Sequence, residues 1–196
     1  LVEKDHRLIP FLQEKFKSEI SLGKLKLIEE DIVNFDISKI LNKEEKYKVI
    51  ANIPYYITGQ IIRKFLEEEK QPDSMTLLVQ KEVADRILAR DGKESLMSLS
   101  VKIFGEPKVI RRVSRGAFNP VPSVDSAVIN INHISKSKLE DVSAEHFFKV
   151  LHAGFAHKRK QLLPNISSIF DKNKTVDAFE QLNINPKIRA EDLPLS

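Results

Sequence analysis

Apolar residues recur at helical spacing from Leu8 to Ile20, where Leu8, Phe11, Leu12, Phe16 and Ile20 fall on one stripe. Gly23 follows, where a helix end favours a residue free to turn left-handed. Leu25-Lys26-Leu27-Ile28 alternates and predicts a strand ending at Glu29-Glu30-Asp31. Ile37 to Leu41 predicts a short helix, and Tyr47 to Ala51 a short buried strand. Ile61, Ile62, Phe65 and Leu66 then return to helical spacing. Met75 to Val79 predicts the next buried strand. Helices are expected over Lys81–Leu88 and Leu96–Phe104, and strands over Lys108–Arg115 and Ser126–Asn132. Strands alternating with helices indicate an α/β layer with a largely parallel sheet. The two late strands fit an antiparallel hairpin at its end.

The pattern changes between His133 and Val142, which is polar and predicts a linker. Beyond it Ser143 is suited to cap a helix whose stripe is Phe147, Phe148, Leu151 and Phe155. The remainder is helical in pattern, with a short helix over Asp177–Leu182 before the break at Asn185-Pro186. The division that follows is a larger α/β domain over residues 1–135 and a small all-α domain over residues 143–196.

Composition narrows the class only modestly. A length of 196 residues allows one ordinary domain and a small appendage. The balance of 32 Lys and Arg against 28 Asp and Glu is compatible with a nucleic-acid partner without requiring one. There is no Cys, which removes disulfides and thiolate metal sites and fits a reducing compartment such as the cytoplasm. The five His residues show no ligand spacing, so no metal is expected. No apolar run is long enough to span a membrane.

The candidate chemistry lies at the end of the Tyr47–Ala51 strand, in Asn52-Ile53-Pro54-Tyr55. An enzyme that methylates the exocyclic amine of a base needs acceptors for the amine hydrogens, so that the nitrogen lone pair points at the electrophile. The Asn52 side-chain carbonyl and the backbone carbonyl of Ile53 suit that task. Pro54 holds the chain extended and carries no N–H. Tyr55 offers a ring on which a base taken out of its helix can stack. Asn-x-Pro is also ordinary turn chemistry, and from these residues alone a plain strand-ending turn is the competing account.

The surroundings favour the chemical account. Val49 to Thr58 resembles the signature of the ribosomal RNA adenine dimethyltransferases of the KsgA type. Gln80 to Arg86 is similar to the next segment of that family, and Phe118 to Val128 to its Phe-x-Pro-x-Pro-x-Val-Asp-Ser element. Phe155 to Leu162 and Ile188 to Leu193 resemble its C-terminal part. The resemblance implies a Rossmann-like class I methyltransferase sheet with helices on both faces, and an RNA-binding function for the C-terminal helices. It also implies a glycine-rich loop ahead of Leu1. The six glycines here are isolated, so an omitted N-terminal segment with the first strand and that loop is expected, or else a truncated, non-catalytic relative.

By the same resemblance, S-adenosylmethionine is the methyl donor. Glu3 would hold its ribose, Asp31 its adenine amine with Ile32 packed nearby, and Asn52 would border the cofactor as well as the target. Without the resemblance Glu3 reads as a solvated strand-end charge and Asp31 as a helix cap. Asn52, Ile53, Pro54, Tyr55 and Phe118 form the implied catalytic set, with Phe118 as a second aromatic wall and Tyr56 as packing. Phe118 is otherwise a core residue beside a stiff turn. Asp5-His6-Arg7 is read as a polar helix start, not as a catalytic histidine.

Three basic groups are candidate RNA contacts: Lys158, Arg159 and Lys160 on a C-terminal helix, Arg111, Arg112 and Arg115 near the target loop, and Lys81, Arg86 and Arg90 on a neighbouring helix. Arranged around one cleft they would suit a large folded RNA, and each is otherwise a solvated surface. The implied activity is dimethylation of two adjacent adenines near the 3′ end of small-subunit (16S) ribosomal RNA, on the immature small subunit, by a monomer. A large-subunit adenine methyltransferase conferring antibiotic resistance, and a silent assembly factor, are the alternatives.

Overall fold

A computed structural model describes residues 1–42, 44–139 and 142–193. Residues 140 and 141 of the expected linker, and the last three of the expected C-terminal domain, lie outside the described residues. The chain forms two compact units, Leu1–Glu45 and Lys46–Ser196.

In the first unit, β1 (Val2–Glu3) pairs in parallel with β2 (Ile28–Glu29), Val2 opposite Ile28. The strand anticipated from Leu25 is thus only two residues long, because a strand extends no further than its hydrogen-bonding partner. The helix anticipated over Leu8–Ile20 is split into α1 (Ile9–Lys15) and α2 (Lys17–Ser21). Phe16 leaves helical dihedrals at φ −110°, ψ 24°, so the stripe does not stay on one face. Phe11 on that stripe is 61% exposed. Gly23 ends the segment as expected, at φ +67°, a conformation other residues adopt only with strain. Ile37–Lys39 is a 3₁₀ turn capped by Asp36, which accepts from the Ser38 N–H.

The second unit is built on a four-stranded sheet. In it, β3 (Lys48–Asn52) runs parallel to β4 (Ser74–Gln80), and α3 (Thr58–Glu67) connects them. After β4 come α4 (Lys81–Ile87), α5 (Leu96–Lys102) and β5 (Glu106–Val113), then β6 (Ser126–Asn132). The order is β3-β4-β6-β5, and both pairings of β6 are antiparallel. The expected largely parallel sheet is therefore mixed. The short 114–125 connection makes a β5–β6 hairpin, and β6 inserts between β4 and β5.

The core follows from strand alternation. Met75, Leu77 and Val79 of β4 and Ile129 and Ile131 of β6 are fully buried. Ile61, Ile62, Phe65 and Leu66, the predicted face of α3, are buried as well. β3 departs from the reading as a buried strand, since Ile50 is 82% exposed. It is the end strand of its sheet, and its residues alternate between exposed and half-buried.

The unit continues through α6 (Ala144–Phe155), capped as predicted by Ser143, whose Oγ accepts from the His146 N–H at 3.1 Å. Two further helices follow, α7 (Leu162–Ile166) and α8 (Lys172–Gln181). α7 went unpredicted because five residues are too few to show a period. α8 begins five residues earlier than expected, where Asp171 caps it. Leu162, Phe179 and Ala190 form a small core, with Phe155, Ile166 and Ile184 packed against it. A Cβ on Gly154 would lie 2.9 Å from Leu162 Cδ1, so the tip of that buried side chain would have to shift to admit one.

Candidate active site

The end of β3 delivers the predicted residues to one place. Asn52 is the last residue of the strand and is exposed, while Ile53 turns inward and is buried. Pro54, at φ −58° and ψ 132°, keeps the chain extended, as its ring requires. Tyr55 opens a 3₁₀ turn, Tyr55–Ile57, which leads into α3. Across from this segment lies the loop between β5 and β6. Asn52, Ile53, Pro54 and Tyr55 line a cleft of about 360 Å³ together with Phe118, Pro120 and Pro122. Two stretches more than sixty positions apart in sequence thus face each other.

Phe118 is half-buried beside the cleft, so the core account of it does not hold. Tyr55 is half-buried, and its hydroxyl lies 2.6 Å from Ser126 Oγ, which is fully buried at the start of β6. Tyr56 was expected to pack, yet it is 87% exposed. Successive residues of the 3₁₀ turn point in different directions, and the Tyr55 side chain takes the inward one.

The Phe118 loop is closed at its base by Asp125, whose Oδ1 accepts from the Arg115 N–H at 3.0 Å. The backbone carbonyl of Asp125 also accepts from the Lys81 N–H at the start of α4. Within the loop, Ser114 caps the 3₁₀ turn Arg115–Ala117, and the Asn119–Pro120 peptide is cis. Ser126, Asp125, Pro120 and Pro122 had no role assigned from sequence. The Pro-x-Pro and Asp-Ser pairs in the quoted motif carried the signal, but which side chains they meet is a tertiary fact.

Glu3 and Asp31 belong to the first unit, and each has defined partners there. Glu3 Oε1 accepts from the Asp5 N–H at 2.8 Å, and its other oxygen has no protein partner among the described residues. Asp31 follows β2. Its Oδ1 accepts from the Val33 N–H at 3.0 Å and its Oδ2 lies 2.7 Å from Lys4 Nζ. The Lys4 hydrogen bond, then that from the Val33 N–H, lowers the Asp31 pKa below the ordinary carboxylate value. No helix follows Asp31, so its bond to the Val33 N–H closes a turn over residues 32–34 and does not cap a helix. Ile32 follows it, half-buried, in the same turn. Asp5 is clamped by Arg7, at 2.6 Å from Oδ2 to Nη2, which depresses its carboxyl strongly.

The basic groups are arranged otherwise than expected. Lys158, Arg159 and Lys160 do not lie on a helix. α6 ends at Phe155, and the basic residues form a turn closed by the Lys160 N–H on the His157 carbonyl. Buried Asn165 on α7 fixes this turn by donating from Nδ2 to the carbonyls of Gly154 (2.7 Å) and His157 (3.2 Å). Lys158 and Lys160 line a second, larger cleft of about 850 Å³ with Arg86, Arg90 and Lys93, and with the acidic Glu82, Asp85 and Glu191. Hence the basic groups do not ring one cleft. Arg86 pairs with Glu82, and Asp85 is shared by Arg90 and Arg112. Arg111 is exposed next to Arg112 because β5 is irregular between Val109 and Arg111, which breaks the strict alternation of faces. Arg115 is exposed at the foot of the Phe118 loop. Among the described residues no three His, Asp or Glu side chains form a candidate metal site. No described helix is long and apolar enough to cross a membrane.

Known proteins resemble this chain in fold and in sequence. A solved dimethyladenosine transferase from Plasmodium falciparum superposes with a TM-score of 0.81 at 23% identity, covering 98% of this chain and 76% of that one. The 23S rRNA methyltransferase ErmE superposes with a TM-score of 0.75 at 20% identity, covering 98% and 75%. These likenesses show a shared mixed α/β fold. In sequence, the chain is 40% identical over 196 residues to the ribosomal RNA small subunit methyltransferase A of Dehalococcoides mccartyi strain CBDB1. It is 36% identical over 197 residues to the protein of that name from Clostridium botulinum strain Langeland. Each alignment takes in 99% of this chain, which spans 66% of the Dehalococcoides protein and 70% of the Clostridium one. The sequence model for ribosomal RNA adenine dimethylase matches residues 1–196. From Leu1 to Ser196, then, this chain belongs to the ribosomal RNA adenine dimethylase family.

Proposed function

We propose that the protein of which this sequence is read dimethylates the exocyclic amines of two adjacent adenines in small-subunit ribosomal RNA, during small-subunit maturation in the cytoplasm. One observation carries the reading: the polar end of β3 meets an aromatic and proline-lined loop across a cleft of about 360 Å³. Relatives at 36–40% identity bear a small-subunit name, which supports that target over the large subunit.

S-adenosylmethionine supplies a methyl group already activated by the positive charge on sulfur. The residues present fit such a ligand. Glu3 has a carboxylate oxygen free to accept from ribose hydroxyls, and the Asp31–Lys4 ion pair is largely solvated on the Lys4 side and easily exchanged. Ile32 and Asn52 complete the proposed cofactor set. At the target, Asn52 and the Ile53 carbonyl accept the amine hydrogens, and Tyr55 and Phe118 sandwich the base. As the amine becomes cationic, the same oxygens stabilise its charge, so the work is positioning and electrostatics rather than strong-base catalysis. Residues 1–135 serve as the catalytic domain and residues 143–196 as the RNA-binding part. Lys158, Arg159 and Lys160 with Arg111, Arg112 and Arg115 contact phosphates. The enzyme acts as a monomer.

The test is transfer of labelled methyl from S-adenosylmethionine to unmodified small ribosomal subunits, by this 196-residue chain and by the longest form its gene encodes. Label in adjacent adenines is expected. Subunit binding with no label from either form would replace the reading with a silent assembly factor.

A further inference from the structure

Asp125 and Ser126 touch neither the floor nor the mouth of the β3 cleft, yet each holds one of its walls. Ser126 is fully buried in the central strand β6, in register with Gln80 on one side and Val113 on the other. Its hydroxyl therefore has little freedom, and it lies 2.6 Å from the Tyr55 hydroxyl. Tyr55 itself sits in a 3₁₀ turn without a side-chain cap, so this contact is the polar tie that sets its ring. Asp125 is fixed through its own carbonyl to the Lys81 N–H, and its carboxylate closes the base of the Phe118 loop at the Arg115 N–H.

We propose that Asp125 and Ser126 are positioning residues for the target base: one dipeptide at the head of β6 sets both aromatic walls, Tyr55 through Ser126 and Phe118 through Asp125. The inference rests on the proposed methyl transfer and names a device within that site. A stacked base gains from two parallel faces at a fixed spacing, and a sheet strand is the stiffest frame available for setting it. Tyr55 spends its hydroxyl on this anchor. Recognition by Tyr55 is then through its face, and the polar reading of the adenine is left to Asn52 and the Ile53 carbonyl.

The experiment uses Ser126→Ala, Tyr55→Phe and the double variant, with Asp125→Ala and Asp125→Asn alongside. Two readouts are taken. One is methyl transfer, as kcat and KM. The other is the fluorescence of an RNA from the 3′ end of the small-subunit molecule with 2-aminopurine replacing one target adenine, which responds to stacking without any transfer. Ser126→Ala and Tyr55→Phe are each expected to lower kcat by about three- to tenfold, with KM nearly unchanged, and to weaken the stacking signal. The double variant should be no worse than either single one, because both delete the same bond. Asp125→Asn, which keeps an acceptor oxygen, should restore most of what Asp125→Ala loses. Multiplying losses in the double variant, or a stacking signal unmoved by Tyr55→Phe, would overturn the inference while leaving the function standing. A parent protein that neither transfers label nor alters the fluorescence would overturn both. Tyr55→Phe changes no buried atom of the sheet, so the test holds even if Ser126→Ala fails to fold.

Discussion

The β3 cleft and the basic turn at residues 157–160 are both tied by polar side chains, buried Ser126 and exposed Asp125 at the first and buried Asn165 at the second, yet they offer opposite surfaces. In the cleft, Ser126 and Asp125 fix two uncharged walls, and the residue proposed to meet the reacting amine, Asn52, is neutral. At the turn, Asn165 fixes three exposed cations that share a wide, mixed-charge cleft with Arg86, Arg90 and Glu191. Reaction geometry falls off sharply with displacement, whereas phosphate attraction is long-ranged and spread over many groups. The first surface should therefore be brittle toward single substitutions, and the second tolerant of them.

The sharpest way to break that contrast is Asn52→Ala. Loss of the amine acceptor is expected to lower transfer by about a hundredfold or more, with S-adenosylmethionine binding by calorimetry weakened far less than transfer, since Asn52 only borders the proposed cofactor set. Loss of cofactor binding would show that the division between target and cofactor residues is drawn in the wrong place. Next in size is combined neutralisation of Lys158, Arg159 and Lys160. RNA affinity should fall, and the slope of log K against log salt should flatten by about two to three. Each single neutralisation should do about a third as much, and an unchanged slope would return the turn to ordinary surface.

Asn165→Ala tests the frame of the turn apart from its charge. Two carbonyls lose their donor in a buried place, so chemical denaturation should show a loss of about 1–3 kcal/mol. RNA affinity should drop less than in the triple variant. The smallest effect concerns Asp31. Its pKa is depressed when folded, so the stabilisation it gives is present above the ordinary Asp value of about 3.9 and is lost as pH falls through the lower folded value. Lys4→Met should raise the Asp31 titration midpoint seen by carboxyl NMR, with little change in stability at neutral pH, since the pair is exposed.

These regions also differ in how far the residues disclosed them. Asn52 to Tyr55 could be singled out because a strand-ending Asn and a φ-restricted Pro impose local geometry, and the structure shows that geometry. The basic run was equally visible, but its helical assignment failed. Helix propensity continues past Phe155, while the bonds from Asn165, on another element, end α6 and turn the chain. The stripe in α1 and α2 failed for a related reason. Periodicity registers which side chains are apolar and is blind to the backbone leaving its helical dihedrals at Phe16. Strands of five residues or more lie within one or two positions of their predicted bounds, because β4 and β6 carry a fully buried apolar residue at every second position, Met75, Leu77 and Val79 in one and Ala127, Ile129 and Ile131 in the other.

By itself the sequence determined the alternation of strands and helices, the cap at Ser143, the left-handed turn at Gly23, and the extended turn at the end of β3. All of these depend on bonds and dihedrals within a few residues. Only the tertiary structure decided that β6 lies between β4 and β5, that Phe118 faces Tyr55, that Ser126 anchors the Tyr55 hydroxyl, and that Asp85 joins Arg90 to Arg112. Those pairings join residues far apart along the chain, and their geometry is set by how whole elements pack, which no local pattern encodes.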